Sequence, residues 1–92
     1  MKPTIPTHPL PMIHSNGTGA ASLLADYRAA WDACRLAREA LAKVEFNARD
    51  YYVLHTGAWT EAREAREVAF QMLDAVAEHC MAHAIHASDA LP

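Results

Sequence analysis

No proline lies between Met12 and Leu91, so nothing of that kind interrupts a helix in the body of the chain. Glycine is nearly as scarce: Gly17 and Gly19 mark one break and Gly57 another. Two cysteines, Cys34 and Cys80, are too few for a disulfide scaffold, and their scarcity points to a reducing, cytoplasmic setting. No apolar run has the length a membrane span needs. The opening Met1-Lys2-Pro3-Thr4-Ile5-Pro6 is cut up by prolines and is not read as a signal peptide. Basic charge is also short: eight Lys+Arg against eleven Asp+Glu leave a net charge of −3, which argues against a general nucleic-acid coat. What the chain does have is apolar content, 52% against 21% charged, and this excludes a disordered chain. Ninety-two residues make one small domain.

The punctuation divides that domain. Four prolines fall at Pro3, Pro6, Pro9 and Pro11, so residues 1–14 are expected to form an extended, Pro-rich arm. Its apolar residues Ile5, Leu10, Met12 and Ile13 suit a segment lying over a helical core or reaching onto a neighbouring subunit. Residues 15–92 form the domain proper. Ser15-Asn16-Gly17-Thr18-Gly19 is turn chemistry, with Thr18 a good N-cap for a helix over about 19–45. Along it, Leu23, Tyr27, Ala30, Cys34, Ala37, Leu41 and Val44 step by alternating four and three, a heptad seam. Phe46 to Gly57 breaks the pattern as a loop, and Thr56 or Gly57 can cap a second helix over about 58–87. Its core row is expected at Ala62, Ala65, Ala69, Leu73 or Met72, Val76, Cys80 and Ala84. The run Glu61 to Glu67 reads as a solvated, self-pairing face.

The expected fold is therefore all-α: two long antiparallel helices in a hairpin. Two helices enclose little, and alanines at a seam contribute little apolar area each. Trp31, Phe70, Met81 and Ile85 do not all fit one seam. Self-association into an oligomeric helical bundle is the simplest way to cover the remainder.

Two segments have binding chemistry. The loop from Asn47 to Trp59 gathers Arg49, Tyr51, Tyr52, His55 and Trp59 in a chain only 8% aromatic. Tyrosine faces stack on flat rings, and arginine offers a planar fork to phosphate or carboxylate. The plain alternative is that the aromatics close the hairpin end while Arg49 pairs with Asp50 or a helix C-terminus. The other segment is Asn16-Gly17-Thr18, whose backbone amides beside a helix start can meet a phosphate. It has no Walker lysine, and helix capping alone explains most of it.

His79, His83 and His86 lie four and three apart on one helix face. Three imidazoles along a straight helix do not converge on one ion, so no metal site is expected. No catalytic triad, paired-carboxylate motif or phosphate-transfer loop can be assembled from spacing, and no cofactor is implied. Both cysteines fall on core rows and read as structural.

Ile13-His14-Ser15-Asn16-Gly17-Thr18 before the first helix and Asn47-Ala48-Arg49-Asp50-Tyr51-Tyr52 after it carry a resemblance. The chain resembles a family of small phage- and prophage-associated proteins of unassigned function. That family's pattern reads Ile-His-Leu-Asn-Gly-Thr-Ser and then Arg-Asp-Tyr-Tyr-Pro-Gln. The likeness spans nearly the whole chain, but only these two motifs are specific. The sequence departs at Ser15 and Gly19, and Val53-Leu54 replace the Pro-Gln pair. The resemblance implies a host-defence antagonist in the host cytoplasm. It would either sequester a phosphate-bearing signal such as a cyclic nucleotide or block a host or phage protein through its arm and helix faces. In the first case Asn16, Gly17, Thr18, Arg49, Tyr51, Tyr52 and His55 are the expected ligand-binding residues.

Overall fold

The computed structural model describes residues 10–13 and 19–91, and they form a helical hairpin. Helix α1 spans Ala20–Ala42, a single 3-10 turn spans Ala48–Tyr51, and helix α2 spans Ala58–Asp89. The helices pack antiparallel, and the described residues contain no strand. The molecule measures 61 × 24 × 15 Å.

The boundaries follow from local chemistry. Gly19, in extended conformation, caps α1, and its carbonyl accepts from the Leu23 amide at 3.0 Å. The expected cap, Thr18, lies outside the described residues. Helix α1 stops at Ala42, short of the expected 45, because the Lys43 and Val44 amides turn back to the Ala40 and Leu41 carbonyls. These tightened bonds close the last turn. Val44 therefore leaves the seam it was expected to join and is exposed. At the other boundary Gly57 caps α2 with φ 94°. A side chain rarely adopts that left-handed backbone, so glycine is needed here for conformation rather than for space.

The seam keeps Leu23, Tyr27, Cys34 and Leu41 of the heptad expectation and departs from it at Ala30 and Ala37. On α1, Leu23, Leu24, Tyr27, Trp31, Cys34 and Leu41 are half-buried, while Ala30 and Ala37 are exposed. Trp31 and Arg38 take the places assigned to those alanines. A large ring gains more by burial than a methyl group, and an arginine stem can lie on apolar surface with its head in water. Arg38 Nε donates to Asp74 Oδ1 of α2 at 2.7 Å, and its guanidinium lies 4.8 Å over the Phe70 ring. The hydrogen bond and charge of Asp74 raise the Arg38 pKa above its ordinary value. On α2 the row runs through Ala62, Ala69, Leu73, Ala77, Cys80, Ala84 and Ala87; Ala65, Met72 and Val76 are exposed. Only Ala58, Cys80, Ala84 and Ala87 are fully buried among the described residues, and none of them is large.

One face of the hairpin consequently stays open as a groove. Leu24, Trp31, Met81 and Ile85 line one part of it, and Trp31, Cys34, Leu73 and Met81 the next. Phe70, expected with this leftover surface, instead packs under the guanidiniums of Arg38 and Arg66, 4.8 and 5.1 Å from its ring. At the far end of α2, His86 Nε2 donates to the Pro11 carbonyl at 2.6 Å, so the short described stretch 10–13 lies against that helix.

Candidate functional site

The hairpin tip is built on an aromatic cluster. Phe46, Tyr51 and Trp59 meet with ring centroids 4.7 to 5.9 Å apart. Phe46 reaches Trp59 because α1 ends at Ala42, four residues before it, and the chain turns across the bundle end. Arg66 lies 4.8 Å over Phe46 and its Nη2 donates to the Ala42 carbonyl at 3.5 Å. Arginine at a helix C-terminus meets the negative end of the peptide dipoles. Arg63 stands 5.7 Å over Trp59 from the outside. The run Glu61 to Glu67 is thus not the self-pairing surface its charges suggested. Its charged residues are largely exposed, yet two of its arginines, Arg63 and Arg66, lie over the rings of the tip.

The loop expected after α1 contains the 3-10 turn Ala48–Tyr51, and this turn sorts the candidate residues. A 3-10 helix has three residues per turn, so positions three apart share a side. Ala48 and Tyr51 are half-buried and face the cluster. Arg49 and Tyr52, also three apart, form the outward row; both are exposed, Tyr52 to 73%. The Asp50 amide bonds to the Asn47 carbonyl at 3.1 Å, and the Tyr52 amide reaches the Arg49 carbonyl at 3.5 Å, which fixes the turn. Arg49 forms no ion pair among the described residues. The helix-capping role once open to Arg49 is filled by Arg66.

His55 is held at the base of α2. Its Nε2 lies 2.9 Å from Glu61 Oε2, with both side chains about two-thirds exposed. Glu61 sits in the first helical turn, where the dipole favours a carboxylate. The structure thus brings Arg49, Tyr51, Tyr52 and His55 to one end of the hairpin. Asn16, Gly17 and Thr18 lie outside the described residues; Gly19, the cap of α1, is at the opposite end. Helix α1 alone, at 1.5 Å per residue, separates the two ends by about 35 Å.

The histidine face of α2 has a packing role that spacing alone did not suggest. The Tyr27 ring stacks on His83 at 4.6 Å and meets His79 edge-on at 6.5 Å. No three His, Cys, Asp or Glu side chains among the described residues are placed to hold a metal ion. No helix among them is long and apolar enough to cross a membrane. Comparison with protein-family models, curated proteins and solved structures finds no match to this chain.

Proposed function

We propose that this is a phage-type binding protein, without catalytic chemistry of its own, that sequesters a phosphate-bearing small ligand such as a cyclic nucleotide immune signal. The observation that carries the reading is the outward row of the 3-10 turn. Arg49 in the turn and Tyr52, which ends it, are both exposed, while Tyr51 of the same turn packs into the aromatic cluster. A guanidinium fork for phosphate and a ring face for a base are thereby offered from a braced support. Tyr51, already packed on Phe46 and Trp59, holds that support, and Tyr52 is the stacking ring. His55 contributes at the edge through its pairing with Glu61.

In this reading the Asn16-Gly17-Thr18 amides join the site through a second copy of the chain, because Gly19, which follows them in sequence, caps α1 at the end away from the tip. An antiparallel homo-oligomer brings one subunit's tip to another's helix start, and two-fold symmetry does so twice. Self-association is supported by the open groove, where Met81 and Ile85 are exposed, and by a core of four small buried residues among those described. A thermal-shift screen against nucleotides and cyclic dinucleotides tests the ligand, since one that binds only the folded state raises the melting temperature. Sedimentation at micromolar concentration tests the assembly: an oligomer is expected, and a cooperatively melting monomer contradicts it.

The groove also favours a second reading, a protein-interaction module that blocks a host or phage protein through its helix faces. Leu24, Trp31, Met81 and Ile85 make an apolar stripe of the kind a partner helix fills. A monomer that binds no nucleotide favours this alternative.

A further inference from the structure

We infer that Cys34 and Cys80 form a thiol pair that a low-molecular-weight disulfide oxidises to an interhelical crosslink, stapling α1 to α2. The inference stands on the packing of the hairpin and is independent of the ligand proposed above. Cys34 is half-buried on the α1 side of the seam, and Cys80, 5% exposed, is buried on the α2 side. Two cross-helix contacts bracket them. Arg38, one turn after Cys34, bonds to Asp74, and Tyr27, two turns before it, stacks on His83, which follows Cys80 by three residues. In this antiparallel register the cysteines fall between those contacts, where Ala77 and Ala84 on the same α2 face let the backbones approach closely.

Cys34 lies close enough to Cys80 to act on its thiol. Burial first, and Cys34 beside it second, push the Cys80 thiol above its ordinary pKa. The two sulfurs therefore have different access and different roles. Cys34 lines the open groove together with Trp31, Ala77 and Met81, so a dissolved oxidant meets it first.

The chemistry is two thiol–disulfide exchanges. The Cys34 thiolate attacks one sulfur of a disulfide such as oxidised glutathione, making a mixed disulfide and releasing one glutathione thiol. Cys80 then loses its proton to solvent, and its thiolate attacks the Cys34 sulfur. The intrachain bond forms and the second glutathione leaves. Two protein thiols give up two electrons in all, and the small disulfide takes them to become two thiols. Closing the long loop from residue 34 to residue 80 constrains the unfolded chain and raises the stability of the hairpin.

The test uses the full-length protein incubated with oxidised glutathione and analysed by intact mass without reductant. The wild-type mass is expected to fall by two hydrogens, with the melting temperature rising by about 10 °C or more and reductant reversing both. Cys80→Ser is expected to stop at a glutathione adduct on Cys34, because no thiol remains to resolve it. Cys34→Ser is expected to stay unmodified. A wild type that remains unmodified, ends as a stable glutathione adduct, or crosslinks only between chains overturns the inference.

Discussion

The two ends of the hairpin's packing differ in kind. At the tip three aromatic rings interlock and two arginines lie over them, so a short loop is closed by large side chains. Along the middle and far end the buried residues are Cys80, Ala84 and Ala87, while Trp31, Met81 and Ile85 stay along an open groove. Aromatic burial removes far more apolar surface from water than alanine burial does. The tip is therefore closed by large side chains, and the seam leaves an apolar groove open. The exposed pair Arg49 and Tyr52 sits on the closed part, which suits a site that must hold its shape before a ligand arrives.

That contrast is breakable by substitution. Trp59→Ala is expected to have the largest effect, about 3 kcal/mol of lost stability, because it empties the centre of the cluster. Tyr52→Ala, one position beyond the packed turn, is expected to leave the denaturation midpoint nearly unchanged. Equal losses at both sites in urea titrations would mean the tip is not sorted into inward and outward rows. Arg66→Ala comes next: removing its contacts to Phe46, Phe70 and the Ala42 carbonyl is expected to cost about 1 kcal/mol. Arg66→Lys should recover only part, since a point charge cannot lie flat on a ring.

The seam gives a smaller, pH-dependent effect. The folded Cys80 thiol holds its proton above the ordinary thiol range. The unfolded thiol ionises first as pH rises past about 8.5, so the folded state then binds more protons than the unfolded one. This contribution is complete below that pH and is lost as pH rises through the folded value. Stability measured in reductant is expected to decline on the alkaline side, and Cys80→Ala should remove that part of the slope. An unchanged slope would show that the seam is open to water at Cys80.

Much of this was legible in the residues themselves. The proline-free body, the glycines at 19 and 57 and the apolar spacing define two helices and the break between them. The heptad spacing places Leu23, Tyr27, Cys34 and Leu41 correctly and fails at Ala30 and Ala37, because the rule counts alanine as apolar. Ala30 and Ala37 gain too little by burial to compete with Trp31 and with the long stem of Arg38. The 3-10 turn was invisible because four residues leave no periodicity to read. Composition located Arg49, Tyr51 and Tyr52 together, but only the three-residue turn separates Tyr51, which packs, from Arg49 and Tyr52, which face out. The run 61–67 is largely solvated as its charges suggest, and the bracing by Arg66 is not legible because its partner Phe46 is distant in sequence.

Isothermal titration of the wild-type protein and Arg49→Ala with whichever cyclic dinucleotide most raises the melting temperature tests the central claim directly. The account predicts that the wild type binds and that Arg49→Ala loses tens-fold or more in affinity, about 2 to 3 kcal/mol for a charge-assisted phosphate contact. It also predicts an unchanged oligomer and an unchanged melting temperature for the unliganded variant. A variant that stays folded and binds as tightly as the wild type, or a wild type that binds no nucleotide at all, would contradict it.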